Sequence, residues 1–262
     1  KVTGKWMFPR ELIDRWMMDS AHGGLLTDRL VIGGSDDPLL YRVVTAFARD
    51  VNALAQVSYT PTGTRLGLDL LQANRIDVSA LHWGPAKESR TRHPALLRQH
   101  NQARNWVLIR AFTREQGLMV RPDIAAAGAD AETLLRGNYR WVQRQSGAGA
   151  QRFLMELRNQ AAVPQPIDSS VTALSEREAA SAVVMGIADV APGARSTAAE
   201  AGLGFVPMGT EAFDFALPRN IWFRRLFQDL LARIQSGECR KTADMLGGYD
   251  FSESGELIWG EE

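Results

Sequence analysis

From Arg29 onward the chain alternates short apolar runs with amphipathic stretches, and this alternation limits the fold more than any other feature. RLVIGGSDD reads as a buried strand ending in a Gly/Ser/Asp turn. PLLYRVVTAFARDVNALA then reads as an amphipathic helix, with Pro38 just inside its first turn, where a missing N–H is harmless. The pattern repeats as AQVSYTP, TGTRLGLDLLQAN and IDVSALHWG. Strand and helix in strict alternation predict a mostly parallel sheet with helices on both faces.

Two longer runs interrupt this pattern. NWVLIRAFTREQGLMVRPD predicts a long strand that leaves the first sheet and enters a second. The second region holds YRWVQRQSG and ADVA as strands, with AGAQRFLMELRNQ, SEREAASAVVMG and STAAEAG as helices. LGFVPMGTEAFDFALP is the return path. Two α/β lobes joined by two crossing strands leave a cleft between them. NIWFRRLFQDLLARIQSG is expected to be one amphipathic helix, with Ile221, Phe223 or Leu226, Leu230 and Ile234 on its packed face.

The opening segment is of a different kind. Lys1-Val2 and Lys5-Trp6-Met7-Phe8 flank Thr3-Gly4, which predicts two short strands and a tight turn. Pro9 suits the start of a helix with Leu12, Ile13, Trp16 and Met17 on one face, and Gly23-Gly24 would end it or act as a hinge. Such a strand, turn, strand and helix make a small wing with its support.

Charge and composition narrow the function. Of 262 residues, 30 are Lys or Arg and 30 are Asp or Glu, so no global field draws the chain to nucleic acid or membrane. Any DNA contact needs a local basic patch, for which the opening segment is a candidate. Cys239 is the single cysteine, which rules out a disulfide within this chain and favours a reducing compartment. The four histidines form no HExxH or paired spacing. No apolar run approaches the roughly 18 residues of a membrane span. No nucleophile elbow, phosphate loop or dinucleotide fingerprint occurs in the right strand–helix setting, so an enzyme is not expected.

Three turns share a composition: GGSDDP at 33–38, YTPTGTR at 59–65 and RQSGAGAQR at 144–152. Each places small or hydroxyl-bearing residues at a helix N-terminus, where free N–H groups and the dipole favour an anion. Ser35, Thr62, Thr64 and Ser146 add hydroxyl donors. Each also serves equally well as a plain helix cap, and Asp36-Asp37 can cap a helix, pair for acid/base work or bind Mg²⁺. His82-Trp83 ends the third strand in an equivalent place, Trp83 being either a stacking surface or core. Arg114 and Gln116 fall at the crossing, where the guanidinium would clamp an anion or make an interlobe salt bridge.

The segments TREQGLMVRPD, YRWVQRQSGAGAQRFLMEL, ASAVVMGIADVAPGARSTAAEAGLGFVPMGTEAFDFALPR and LGGYDFSESGEL resemble the periplasmic-binding-protein-like domain fused to DNA-binding modules in bacterial regulators. That domain is related to molybdate- and tungstate-binding proteins of ABC transporters. KVTGKWMFPRELIDRWM is similar to the wing and last helix of an excisionase-type winged helix-turn-helix.

The resemblance implies an α/β, bilobal class II periplasmic-binding-protein-like fold, its two lobes joined by two crossing strands and preceded by a winged-helix remnant. Residues 1–20 would be the remnant, 27–113 plus 209–262 lobe I, and 114–208 lobe II. It further implies a cytoplasmic, ligand-responsive transcriptional regulator that needs no cofactor and takes molybdate, tungstate or a molybdenum-cofactor-related compound as effector. Its partners would be a small anionic ligand, DNA through the completed N-terminal module with Lys1 and Lys5 near phosphate, and a second copy of itself, since two half-sites need two readers. No membrane is involved.

By resemblance the ligand-binding residues are Ser35, Asp36, Thr62, Gly63, Thr64, His82, Gln145, Ser146, Gly147 and Gly149, to which the residues themselves add Trp83 and Arg114. One departure stands out. The family's second-lobe turn reads Gly-Ser-Gly-Thr-Arg, and here it is Gly147-Ala148-Gly149-Ala150-Gln151-Arg152, without the two hydroxyls. A different or larger ligand follows from that change. The alternatives are a transporter's solute-binding protein and a domain appended to an enzyme of molybdenum-cofactor biosynthesis.

Overall fold

The computed structural model describes residues 28–163 and 169–260, together with Arg10 and Ile13. The expected wing, with Lys1 and Lys5, lies outside the described residues.

Strand β1 (Asp28–Gly34) runs parallel to β2 (Ala55–Pro61) on one side and to β3 (Val78–Leu81) on the other. Helices α1 (Pro38–Val51) and α2 (Thr64–Gln72) make the crossovers, and α3 (Ser89–Leu97) leads toward the long strand β4 (Trp106–Val120). Past β4 come α4 (Pro122–Ala126), α5 (Ala131–Arg136), β5 (Trp141–Arg144), α6 (Gly149–Gln160), β6 (Ser169–Ala173), α7 (Glu176–Val184), β7 (Val190–Ala194) and α8 (Arg195–Ala201). The chain returns along β8 (Gly204–Pro218) and ends with α9 (Arg219–Trp222), α10 (Arg225–Ile234), α11 (Gly237–Leu246), β9 (Tyr249–Asp250) and β10 (Leu257–Gly260).

The strands form one sheet in the order β2-β1-β3-β8-β4-β7-β5-β6, with β9 and β10 also on β4. β4 and β8 pair antiparallel from Trp106↔Pro218 to Val120↔Gly204. The first half of β4 faces β10 on its other edge and the second half faces β7, so the same strand serves two lobes in turn. Its register slips between Arg110 and Phe112 and again between Gln116 and Gly117, so two irregularities bracket Arg114. Bulges of this kind bend a strand where one lobe hands over to the next.

Each lobe has its own core. In lobe I, Leu30, Ile32, Phe112, Phe213, Phe215 and Phe227 are buried together, with the Phe112 and Phe213 rings stacked at 5.0 Å. In lobe II, Met119, Val142 and Val183 pack on one face, and Trp141, Leu154 and Val190 on the other. Each such side chain contributes roughly 1.5–3 kcal/mol of burial. Two separate cores allow the lobes to move as units about the crossing strands.

The expected single C-terminal helix is two helices. Phe223 is 78 % exposed rather than packed, and Arg224 is extended between α9 and α10. Arg224 Nη2 donates to Arg29 O at 2.6 Å and pairs with Asp28, and this attachment to the start of β1 breaks the helix. The periodicity survives in α10, where Leu226, Phe227, Leu230, Leu231 and Ile234 are buried. Among the described residues no helix is long and apolar enough to cross a membrane.

Candidate functional site

The strand-to-helix turns of both lobes meet at the middle of β4 and β8. Gly34, at φ +102°, ends β1 with its Cα against Ala80, where a Cβ would lie 2.0 Å from Ala80 O. Gly34 O accepts from the N–H groups of Thr62 and Gly63, and Gly34 N donates to Thr62 Oγ1 at 3.0 Å. Ser35 Oγ and Thr64 Oγ1 are 2.8 Å apart, and Thr64 Oγ1 donates to His82 O at 3.0 Å. These three hydroxyls thus tie the turns of lobe I to one another. Ser146 lies apart from them, exposed to solvent.

Lobe II closes onto this surface. Gln145 Nε2 donates to Thr62 O at 2.6 Å, and Arg65 N donates to Gly147 O at 3.1 Å. Gly149 sits against the imidazole of His82, where a Cβ would meet Cδ2 at 2.1 Å. Only glycine permits that approach. Two guanidiniums lie over the Trp83 ring, Arg65 from lobe I at 5.2 Å and Arg152 from lobe II at 4.9 Å from its centroid. Both cations stack on an indole that is 8 % exposed, so its face is covered in this closed arrangement.

Arg114 occupies the centre. Its Nε donates to Glu211 Oε1 at 2.8 Å, Nη1 to Asp37 Oδ2 at 2.9 Å and Asp36 O at 3.0 Å, and Nη2 to Glu176 Oε1 at 2.7 Å and His82 Nδ1 at 3.4 Å. All the donors of a guanidinium are used. Asp37 also caps α1 by accepting from Leu40 N at 2.8 Å, and Glu176 is the first residue of α7 in lobe II. One buried cation therefore joins α1, α7 and both crossing strands. Asp36 adds a further interlobe bond, accepting from Arg177 N in the first turn of α7 at 3.2 Å.

Burial raises Glu211 to about 7, with the Glu176 and Asp37 carboxylates adding to the rise and Arg114 opposing it. Asp36 and Asp37 are raised for the same first reason, burial. Burial followed by the Arg114 and Arg144 charges holds His82 well below the usual imidazole range, so the ring is neutral. Burial alone would lower Arg114, yet Glu176, Glu211 and Asp37 keep it well above its ordinary value.

Arg144, at the end of β5, is 4 % exposed and among the described residues its side chain donates only to backbone, Nε to Ala173 O at 3.2 Å and Nη2 to Leu174 O at 3.1 Å. Among the described residues no carboxylate forms an ion pair with it; burial lowers its pKa, and Glu176 and Asp36 oppose that from a longer range. Asp36 Oδ1, His82 Nε2 and Glu211 Oε2 are buried without a hydrogen-bond partner. Neither α2 nor α6 has a side-chain N-cap. No group of three His, Cys, Asp or Glu among the described residues is arranged to hold a metal ion. A cavity of about 370 Å³ lies beside this cluster, lined by Gly84 and Lys87 of lobe I, Phe153 and Gln160 of lobe II, and Gln116 and Gly209.

A family model described as the PBP superfamily domain matches residues 45–235. The chain belongs to the periplasmic-binding-protein-like (PBP-like) superfamily. Solved structures agree on the fold. OxyR from Corynebacterium glutamicum, a cysteine mutant, has a TM-score of 0.60 at 12% identity, covering 90% of this chain and 72% of that one. A Clostridium perfringens protein described as a phosphate ABC transporter substrate-binding protein, with bound phosphate, scores 0.57 at 12% identity over 84% of this chain and 98% of that one. The regulatory domain of MetR, a LysR family regulator from N. meningitidis, scores 0.56 at 12% identity over 86% and 99%. No functionally curated protein matches the chain.

In this PBP-like domain the three turns, His82, Trp83 and Arg114 are brought to one interlobe surface. Sequence reasoning passed over Arg144, Glu176 and Glu211. Arg144 and Glu211 carried a signal, a charged residue inside or at the edge of an apolar strand-like run, as in WVQRQ and MGTEAFDF, whereas Glu176 opens a helix and carried none.

Proposed function

We propose that this PBP-like domain is the ligand sensor of a transcriptional regulator, closing on a small anionic ligand and thereby rearranging attached winged helices. The observation that carries the reading is Arg144, a buried guanidinium at the interlobe surface that meets no carboxylate partner among the described residues. The uncapped N-termini of α2 and α6, one from each lobe, support it. Ser35, Asp36, Thr62, Gly63, Thr64, His82, Gln145, Gly147 and Gly149 would surround the ligand once the lobes part and close again, with Trp83 and Arg114 behind them.

Molybdate and tungstate are the effectors that the family resemblance suggests. A coupling of about 1–3 kcal/mol between closure and DNA geometry suffices for regulation. In the cell the domain would work in the cytoplasm as a homodimer, with Lys1 and Lys5 near DNA phosphate.

The test is a thermal shift of the chain with molybdate, tungstate, sulfate, phosphate and small carboxylic acids. An anion at 100 times its Kd adds about 2.7 kcal/mol to the folded state, a rise of several degrees. A flat response to every anion contradicts the reading. A second reading, a transporter's solute-binding protein, uses the same cleft and is favoured by the fold shared with the Clostridium perfringens protein. The gene sequence ahead of Lys1 separates them, a complete helix-turn-helix speaking for the sensor and a secretory leader for the transporter.

A further inference from the structure

The unpartnered atoms in the cleft have a definite chemistry. His82 Nδ1 lies 3.4 Å from Arg114 Nη2, and a guanidinium can only donate, so Nδ1 is the acceptor. The neutral ring therefore carries its proton on Nε2. That buried N–H has no acceptor, while Glu211 Oε2, buried and equally unpartnered, lies 3.8 Å from it. The gap is too long for a direct hydrogen bond and suits one bridging atom that accepts from Nε2–H and donates to Oε2. A hydroxyl does both. Above pH 7, where Glu211 is ionised, an oxyanion oxygen, which accepts only, cannot serve both groups, and neither can an ammonium, which donates only.

A third unpartnered atom, the acceptor Asp36 Oδ1, lies in the same network, and Arg144 supplies the positive charge. Both ends of a ligand are thus specified: an anionic group at Arg144 and a hydroxyl at the His82–Glu211 pair. The adjoining cavity of about 370 Å³ is lined by Thr210 and Gly84, close in sequence to Glu211 and His82, and by Gln116, and offers room for a carbon skeleton. Gly149 packs directly on His82 in the closed form, so the lobes must part for the hydroxyl-bearing carbon to enter.

We propose that the cleft takes a hydroxylated organic acid, its hydroxyl bridging His82 Nε2 and Glu211 Oε2 and its carboxylate held by Arg144. This inference rests on the cleft being the ligand site, as proposed above, and narrows the class of ligand. It also makes sense of the missing hydroxyls at Ala148 and Ala150, because the ligand brings its own.

The experiment is calorimetric titration of the full chain at pH 8, where Glu211 is ionised, with matched pairs: malate and tartrate against succinate, and glycerate against propionate, with molybdate and phosphate alongside. Loss of the hydroxyl leaves two buried groups unsatisfied, so a hydroxylated member should bind at least about tenfold tighter than its deoxy counterpart. In His82→Leu that ratio should fall toward one. Because a ratio is read, a general weakening of the variant does not mimic the result, and the wild-type ratio needs no variant at all. Equal affinity within each pair, meaning that water bridges the two groups, overturns the inference. Binding of molybdate or phosphate without the hydroxy acids overturns it too, while the cleft reading survives. No binding by any member overturns both.

Discussion

Arg114 and Glu211 are partners in the β4–β8 register, and their side chains are joined at 2.8 Å where the two lobes meet. Around this pair Asp37 and Glu176 supply the other buried carboxylates. Removing the guanidinium leaves them uncompensated. Arg114→Met should therefore destabilise the fold by about 3–5 kcal/mol in urea unfolding. A loss below about 1 kcal/mol would show that the carboxylates are neutral or hydrated in the folded state.

Glu211 should make stability pH-dependent. Its folded pKa of about 7 lies above its ordinary 4.5, so the folded state holds a proton that the unfolded chain has lost. Such a group stabilises at low pH, and the contribution fades as pH rises through 7. His82 works against it, since its depressed pKa makes the fold lose stability as pH falls below about 6.5. Asp36 and Asp37, both raised, act with Glu211, while Arg114 and Glu176 complete the charged surroundings. The comparison of wild type with Glu211→Gln isolates the term. Between pH 5 and 8 the wild type should lose on the order of 1–3 kcal/mol relative to the variant. A constant difference would contradict the assignment.

Gly149→Ala should hold the lobes apart. The new Cβ would meet His82 Cδ2 at 2.1 Å and the His82 backbone O at 2.4 Å, so turning the ring does not relieve the clash and the lobes must separate. Neither core is touched, so the variant should stay folded, with a strain of about 1–3 kcal/mol and greater access of acrylamide to tryptophan. Unchanged quenching and stability would contradict the close packing of Gly149 on His82.

Arg152 and Trp83 should be energetically coupled across the cleft. A double-mutant cycle with Arg152→Ala and Trp83→Leu should give about 0.5–2 kcal/mol for a desolvated cation–π contact. Additive effects would place the stabilising role of Arg152 in its pairing with Glu156 instead.

The fold was largely legible because strand and helix periodicities are local. VSAL, WVLIRAFTREQGLMV and GFVPMGTEAFDFALP are apolar enough to announce buried strands, and the two long ones announce the crossing. The break before α10 was not legible, since it depends on Arg224 reaching Asp28 and Arg29, nearly two hundred residues away in sequence. The turns at Ser35, Thr62 and Gln145 could be placed at helix starts, but nothing local says that their hydroxyls and amides bond to one another. Arg144, Glu176 and Glu211 stayed hidden for the same reason. A charged residue in a strand reveals burial, and only the tertiary fold supplies its partners.

Hydrogen exchange with and without a stabilising anion, read segment by segment, tests most directly whether the cleft is the ligand site. If the ligand sits between the lobes, amides of 33–37, 62–66, 82–84 and 144–150 gain protection together, because both sides of the cleft must hold it. Protection confined to another surface, such as the groove lined by Arg42, Cys239 and Met245, would contradict the account.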